Sequence, residues 1–196
     1  MRVFISKLVD GFLDSGIITE EERDIYEFGL GQTMVTAFNL ITILAIGIVS
    51  GELSNLIIFT SAYVFLRQYV GGYHAETGLG CYMISIVMIF AALIVSRYVE
   101  LDMVSYLTAL GVSSFVLLNF SPVEDYNKPL DDLEIFVYRR KLKEVLAIEV
   151  IVLFGSLTFA PDIAKMIITA MAAMGFMVLL GILKNRKVKS KLTVDQ

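Results

Sequence analysis

The sequence has one cysteine and one histidine among its 196 residues, and charged residues make up only 18% of it. A single cysteine excludes an internal disulfide bond, so its thiol is free, bound to a metal, paired with another molecule or catalytic. This charged fraction is below the roughly 25% that is usual in soluble domains. Hydrophobic residues make up 57% of the sequence, which is more than a globule of this size can bury. The net charge of −4 gives no reason to expect a nucleic acid partner. The composition therefore predicts an integral membrane protein in a lipid bilayer.

Six apolar stretches approach the length of about 20 residues that a membrane-spanning helix needs. They cover residues 34–50, 53–70, 79–96, 103–120, 145–160 and 163–183. Two residues separate the first pair and two separate the last pair, which indicates helical hairpins. The expected fold is all-α, a bundle of about six transmembrane helices in one domain over 1–196, with the bundle at 34–183 and a basic tail at 184–196.

The basic residues indicate how this bundle is oriented. With six spans and a cytoplasmic N-terminus, fourteen of the sixteen lysines and arginines fall on the cytoplasmic side, and only Arg97 and Lys165 fall outside. Basic residues are enriched in cytoplasmic loops of membrane proteins. We therefore expect a multi-pass protein of the cell membrane, with both termini and the loop at residues 71–78 in the cytoplasm.

The first 32 residues differ from the rest because they are amphipathic. They lack the long apolar core and the small-residue cleavage site of a signal peptide. Thr19, followed by acidic residues, is typical of a helix start. The simplest interpretation is a helical hairpin lying on the membrane surface. The alternative is that this segment guides a membrane-bound substrate or a partner subunit.

The only histidine and the only cysteine occur in one glycine-rich stretch, RQYVGGYHAETGLGCYMIS at 67–85. A straight helix would separate His74 from Cys81 by about 10 Å along its axis. This exceeds the roughly 3 Å contact that a nucleophile and its base require. The four glycines instead favour a tight turn. A turn would allow the imidazole to fold back beside the thiol.

This turn predicts where the flanking helices end and begin. We expect the second span to end near Gly71 and the third to begin near Leu79, with Thr77 as its N-cap. Cys81 then lies in the first helical turn, where the helix dipole favours a thiolate. The pair is typical of a cysteine peptidase or acyltransferase.

Less specific interpretations of the same residues stay open. A lone cysteine near a helix start is often a small buried residue or a palmitoylation site, and a lone histidine in a loop is often ordinary. A structural zinc site needs four ligands, and Glu76 is the only further candidate nearby. We therefore expect no metal and no cofactor.

Two segments resemble the AgrB family, the integral-membrane cysteine endopeptidases of Gram-positive quorum-sensing systems. The stretch RQYVGGYHAETGLGC is similar to the signature of that family, and SPVEDYNKPLDDLE at 121–134 resembles its Asn-Lys-Pro loop, which contains Lys128. The chain length and the expected number of spans are similar too. The resemblance places the catalytic pair on His74 and Cys81, and activity-associated positions on Arg67 and Gly72.

The resemblance implies a specific reaction. Such enzymes remove the acidic C-terminal tail of a short AgrD-like precursor peptide at the cytoplasmic face. The peptide is held as a thioester on the cysteine and then closes into a thiolactone or lactone autoinducer. Family members form homodimers. Competing hypotheses are a small peptide or solute transporter and a non-enzymatic membrane scaffold.

The resemblance and the chemistry together suggest roles for the site residues. Cys81 is the expected nucleophile and His74 the general base and acid. Backbone N–H groups at the start of the third span are the expected oxyanion hole. The orienting group stays open among a set of polar residues. These are Gln68, Glu76, Thr77, Asn119 and Glu149.

The remaining polar residues each allow two interpretations. Arg67 either snorkels to the membrane surface or pairs with a carboxylate of the precursor or the site. Arg139 and Arg140 either reflect topology and anionic lipid or also receive the acidic peptide tail. Glu149 either snorkels to the cytoplasmic interface or faces the bundle interior.

Overall fold

The computed structural model describes residues 2–73, 75, 77–124 and 130–194, with side chains described between residues 4 and 186 of those ranges. Within them the chain forms seven α-helices, and a short 3-10 turn, Glu20–Glu22, precedes the second. The helices are α1 (Arg2–Asp14), α2 (Arg23–Ser50), α3 (Leu53–Val70), α4 (Gly78–Tyr98), α5 (Met103–Phe120), α6 (Asp132–Ser156) and α7 (Pro161–Val194).

Four helical segments are long and apolar enough to cross a membrane. They are Glu20–Ser50, Gly78–Tyr98, Met103–Phe120 and Pro161–Arg186. They belong to α2, α4, α5 and α7, and together they confirm the prediction of an all-α membrane protein.

Helix α3 coincides with the predicted second span, and α6 includes residues 145–156 of the predicted fifth span at 145–160, but neither helix is among these four. Helix α3 has the predicted bounds, yet it contains Asn55, Arg67 and Gln68. Helix α6 begins at Asp132, so the charged stretch at 138–144 is part of the same helix as the predicted span. Six long helices therefore form, and six membrane crossings remain a prediction.

The N-terminal region differs from the expected surface hairpin. Thr19 and Glu22 form a capping box, as the sequence indicated. Helix α2 then continues from Arg23 to Ser50 without a break, whereas a separate surface helix was expected to end near residue 32. Each of the glycines at 29 and 31 costs a helix only about 1 kcal/mol, which packing of α1 against α2 through Ile5 offsets.

Helices α3 and α7 form the centre of the bundle. Helix α7 packs against α3, α4, α5 and α6, and Met171, Met174 and Val178 on it are fully buried. Leu56 and Leu66 on α3 are also fully buried. Helix α7 is continuous to Val194, through the region expected as a tail. The two central helices therefore provide the fixed frame against which the glycine-rich loop is held.

A polar network joins three helices at the end of α3 that lies farthest from this loop. The Glu52 carboxylate accepts hydrogen bonds from Ser96 Oγ at 2.6 Å and from Asn55 Nδ2 at 2.7 Å, and Arg97 Nε lies 3.4 Å from it. Lys165 Nζ donates to the Ser96 carbonyl at 3.1 Å. These contacts connect the α2–α3 turn with the end of α4 and the start of α7.

We expect Glu52→Ala to lower the free energy of unfolding by about 1–3 kcal/mol, because it leaves hydrogen-bond donors without an acceptor. Hydrogen bonds from Ser96 and Asn55 lower the pKa of Glu52 below its ordinary value of 4.5. A lowered pKa stabilises the folded state above pH 4.5, and this contribution is lost as the pH falls through the folded-state value. Thermal unfolding in detergent between pH 3 and pH 7 measures both effects.

The matched control for this experiment is Glu100→Ala. Glu100 is exposed near the same end of the bundle, so its removal should shift the unfolding temperature by little. The network would have no stabilising role if the two variants unfolded alike across the pH range.

Candidate functional site

The glycine-rich loop turns sharply where α3 ends. Helix α3 ends at Val70, and Gly71 follows with φ of +70° and ψ of −136°. Gly72 has φ of +107°. Side chains rarely allow such positive φ values, so two successive glycines permit the reversal. The predictions that a helix over residues 53–70 ends near Gly71 and that the chain turns there are confirmed.

Two distant segments hold the loop in place through backbone hydrogen bonds. Gly71 forms a parallel bridge with Val123, whose N–H donates to the Val70 carbonyl at 2.9 Å. The Tyr73 N–H donates to the Met177 carbonyl of α7 at 2.9 Å. The α5–α6 connection and α7 therefore fix the same three-residue turn from two sides.

Arg67 fixes the loop from a third side. Its Nη1 donates to the Gly71 carbonyl, and its Nη2 donates to the Tyr73 carbonyl at 2.6 Å. The side chain is half-buried. Neither interpretation from the sequence included these two loop carbonyls, and pairing of Arg67 with a carboxylate of the precursor or of the site stays a prediction.

The packing around Gly72 leaves no room for a side chain. A Cβ atom at Gly72 would lie 2.8 Å from Arg67 Nη1 and 3.0 Å from the Met177 carbonyl oxygen. From the other side, a Cβ atom at Gly181 of α7 would lie 2.8 Å from the Gly72 carbonyl carbon. The loop is thus held in close contact between α3 and α7.

Thr77 caps α4, as the sequence predicted. Its Oγ1 accepts a hydrogen bond from the Gly80 N–H at 3.1 Å. The Cys81 N–H donates to the Thr77 carbonyl at 3.0 Å, as part of the helix. The first N–H groups of a helix, here those of Gly78 and Leu79, have no acceptor within that helix. Cys81 therefore lies beside a group of backbone donors, where a helix dipole favours negative charge.

The Cys81 thiol lies against the turn that precedes α4. Its Sγ is 3.9 Å from the Ala75 carbonyl oxygen, and the side chain is half-buried. A Cβ atom at Gly80 would lie 2.8 Å from the Ala75 Cβ, so the turn packs closely on the helix. His74 and Glu76 lie outside the described residues, and Ala75 is between them in sequence. Pairing of the imidazole with the thiol stays a prediction.

The basic residues proposed for the site are not all near the loop. Lys128 lies outside the described residues. Arg139 is exposed, and its Nε lies 3.4 Å from the Ser121 carbonyl oxygen, close to the segment that bridges the glycine loop. Arg140 instead pairs with Glu144 at 3.3 Å on its own helix. Of the two arginines on α6, the structure thus brings Arg139 toward the loop, whereas Arg140 pairs within its own helix.

Glu149 lies inside the helical bundle. Its side chain is buried, and neither carboxylate oxygen has a hydrogen-bond partner among the described residues. It is ten residues beyond Arg139 on α6, about 15 Å along a helix axis. The snorkelling interpretation is therefore wrong, and the residue faces the bundle interior.

Several residues that hold the loop were not singled out from the sequence. They include Tyr73, Val123 and Gly181, together with Lys184, whose Nζ lies 5.6 Å from the centre of the Tyr73 ring. Gly181 lies near the end of the apolar run at 163–183 within α7, which is a weak signal of close backbone approach. No sequence pattern pairs that glycine with the loop about 110 residues earlier.

Comparisons with known proteins give a consistent family assignment. The profile of the family described as Accessory gene regulator B matches residues 4–183. The chain is 27% identical over 134 residues to a protein of Clostridium perfringens (strain 13 / Type A), which is provisionally named AgrB-like protein 2, and this alignment covers 64% of the chain. It is 28% identical over 138 residues to a provisionally named AgrB-like protein of Listeria innocua, over 69% of the chain.

These alignments span less than two thirds of the relatives, 63% of the first and 65% of the second. No solved structure is a significant match. The family profile covers both the glycine-rich loop and the α5–α6 connection that is bridged to it. The chain belongs to the AgrB family of accessory gene regulators, membrane proteins of quorum-sensing systems.

Proposed function

We propose that this protein is a membrane-embedded cysteine endopeptidase that removes the C-terminal tail of a quorum-sensing propeptide and promotes its cyclisation. The observation that carries the proposal is the position of Cys81. Its thiol lies near the capped start of α4 and 3.9 Å from the carbonyl of Ala75, the chain neighbour of His74. A cysteine beside helix-terminal N–H groups and a histidine-bearing turn is suited to acyl transfer.

In the proposed first step, the Cys81 sulfur attacks the carbonyl carbon of the scissile peptide bond. A C–S bond forms as the C–N bond breaks, and His74 transfers the thiol proton to the departing amine. The tail leaves with a new N-terminus, and the rest of the peptide is held as a thioester. Backbone N–H groups of Gly78 and Leu79 are the proposed donors to the transient oxyanion.

In the second step, a thiol or hydroxyl within the held peptide attacks the thioester carbonyl. The new ring bond forms, the C–S bond breaks, and the proton of the attacking group returns to Cys81 through His74. Neither step consumes water or requires an oxidant or reductant. Exclusion of water at the membrane edge would favour ring closure over hydrolysis.

Arg67 is a positioning residue in this proposal. It anchors the carbonyls of Gly71 and Tyr73, the second of which belongs to the residue directly before His74. Gly72 permits the backbone conformation that brings both carbonyls to the guanidinium. These contacts support the roles that the family resemblance gave to Arg67 and Gly72, without requiring either residue to touch the peptide.

The proposal also includes the setting of the reaction. We infer that the loop faces the cytoplasm, on the basis of the distribution of basic residues, and that the active protein is a homodimer of single-domain chains, as in its family. Arg139 and Arg140 are the proposed first contacts of the acidic tail. Lys128 and Glu76 are proposed to support the site.

The thioester is directly testable. With a precursor whose ring-forming side chain is replaced by alanine, the acyl-enzyme cannot cyclise, so we expect it to accumulate on the wild-type protein. Mass spectrometry of the intact chain should show the added mass of the trimmed peptide, mapped to Cys81. Neutral hydroxylamine should remove the adduct, because thioesters react with this nucleophile far more readily than peptide bonds do.

The control uses Cys81→Ser with the same precursor, in which any adduct would be an ester that resists neutral hydroxylamine. Tail release by wild type with an adduct on a different residue would contradict the proposed nucleophile. Membrane passage of the intact precursor without any cleavage would favour the transporter hypothesis.

A further inference from the structure

Asn39 lies on the side of α2 that packs against α4. Two contacts define this side. A Cβ atom at Gly78 of α4 would lie 3.1 Å from Val35 Cγ2. Farther along both helices, the Tyr82 hydroxyl is 2.8 Å from Thr42 Oγ1. Because positions 35, 39 and 42 follow the i, i+4, i+7 spacing of one helix face, Asn39 is placed between the two contacts, in the interface of α2 and α4.

The depth of Asn39 in the bundle matches that of the thiol. Helices α2 and α4 run in the same direction, because they are in contact near both starts and Arg97, near the end of α4, donates to the Ser50 carbonyl at the end of α2. Asn39 is about 6 Å beyond the residue of α2 that is level with Gly78, and Cys81 is about 4.5 Å beyond Gly78 on α4. The amide and the thiol therefore lie at nearly the same depth on neighbouring helices.

The side-chain oxygen of Asn39 is buried and lacks a hydrogen-bond donor. Asn39 Oδ1 has no partner among the described residues, although the residue as a whole is half-buried. Buried polar atoms are nearly always hydrogen-bonded, and polar residues inside a membrane span tend to mark functional sites. This oxygen is therefore suited to an N–H donor that reaches the depth of Cys81.

A catalytic imidazole needs such an acceptor. When the ring takes the thiol proton at one nitrogen, its other nitrogen carries an N–H group, and an acceptor on that group fixes the ring. Arg67, which interacts electrostatically with the Cys81 thiol, and Lys184 beside the loop have only donors. The Tyr82 hydroxyl is already in contact with α2. Glu27 of α2 is twelve residues before Asn39, about 18 Å along the helix.

The described residues that the sequence offered as the orienting group do not supply this acceptor. Gln68 and Asn119 are exposed. Thr77 Oγ1 already accepts the hydrogen bond that caps α4. Glu149 belongs to α6, which packs on α3, α5 and α7. Glu76 lies outside the described residues and is compared directly in the test.

We propose that Asn39 is the orienting residue of the catalytic centre, with its Oδ1 accepting a hydrogen bond from the imidazole N–H of His74. The ring is then held between the amide of α2 and the thiol of α4, and its other nitrogen takes the thiol proton. Asn39 is a positioning residue, because it acts through the histidine and does not touch the peptide. This inference rests on the proposed function and adds the third member of its catalytic group.

The first test uses the single cysteine of the chain as a reporter. Full-length protein in lipid nanodiscs is alkylated with iodoacetamide between pH 5 and pH 9. Loss of the acceptor makes the imidazolium less stable, so Asn39→Ala should move the midpoint of alkylation upward by at least about one pH unit. Asn39→Leu, which keeps the side-chain volume, should do the same, whereas Asn39→Asp, which keeps an acceptor, should retain the wild-type midpoint or lower it.

The matched control is Thr36→Ala on the same helix. Thr36 is exposed and its Oγ1 donates to the Gln32 carbonyl of its own helix at 3.0 Å, so the alkylation midpoint should not change. Nitrogen-15 NMR of the single histidine gives an independent measurement. The wild-type ring should show one tautomer, and Asn39→Ala should show a mixture of two, because the hydrogen bond that selects the tautomer is lost.

The second test is kinetic. Asn39→Ala should lower kcat for precursor cleavage by at least about ten-fold, while KM changes by less than about three-fold. The inference would be overturned by an alkylation midpoint equal to that of Thr36→Ala, by a rise in KM alone, or by a midpoint shift that occurs in Glu76→Gln and not in Asn39→Ala. A wild-type thiol that reacts like a free thiol, or continued cleavage by Cys81→Ala, would instead overturn the proposed function.

Discussion

Replacing Cys81 by alanine is expected to lower precursor cleavage at least about 1000-fold while the protein still accumulates in the membrane. Loss of a nucleophile removes the whole covalent path, and rate losses of this size or larger follow in enzymes that use one. The stability cost should be small, because the thiol is half-buried and its recorded side-chain contact is a weak one, 3.9 Å to the Ala75 carbonyl oxygen. Activity and folding are therefore separable at this position.

The measurement is co-expression of each variant with a tagged precursor, followed by immunoblotting of the membrane fraction and of the released tail. His74→Ala should reduce cleavage to a similar extent, because the thiol would lose its base. Met83→Ala is the matched control, since Met83 is 52% exposed and lies two residues beyond Cys81 on the same helix. Processing by Cys81→Ala at a normal rate would remove the enzyme hypothesis.

The sequence predicted those parts of the site that depend on local chemistry. The bounds of α3 and α5 match the predicted spans, because polar or glycine residues flank each apolar run. The Thr77 cap was predictable because a threonine before a helix start satisfies a free N–H group. The turn at Gly71 was predictable because consecutive glycines tolerate positive φ values. Local rules were therefore sufficient for the position of Cys81 near the helix start.

The long-range contacts of the loop could not be predicted from local sequence rules. Nothing local indicates that Val123 would bridge Gly71, or that Met177 would accept a hydrogen bond from Tyr73, because these pairs are more than 50 residues apart. The partners of Arg67 were missed for a related reason. A basic residue near a span end usually snorkels, and only the reversal of the loop brings carbonyl oxygens back to the guanidinium.

The continuity of α2 was missed because helical periodicity does not distinguish one long helix from two. The residues before position 33 are amphipathic and those after it are apolar, which indicated a boundary. The structure places both environments on one helix. This continuity matters for the site, because α2 packs against α4, the helix that carries Cys81.

Gly72→Ala is expected to lower precursor cleavage by ten-fold or more and to lower the unfolding temperature. Alanine at φ of +107° is strained by about 1–3 kcal/mol. Its Cβ would also lie 2.8 Å from Arg67 Nη1, which would displace the guanidinium from the loop carbonyls. Gly111→Ala is the matched control, because a Cβ there has no atom within 4 Å. Alanine should strengthen α5 by up to about 1 kcal/mol.

The double variant Gly72→Ala/Gly181→Ala distinguishes displacement of the loop from a general loss of protein stability. A Cβ atom at Gly181 would meet the backbone of Gly72 and Tyr73 at 2.8 Å, so either substitution displaces the same loop. Their effects on cleavage should therefore be less than additive, whereas Gly72→Ala and Gly111→Ala should combine additively. Additive losses for the first pair, measured as initial cleavage rates in purified membranes, would mean that α7 does not position the catalytic turn. Coupling would show that the turn is held between α3 and α7 during catalysis.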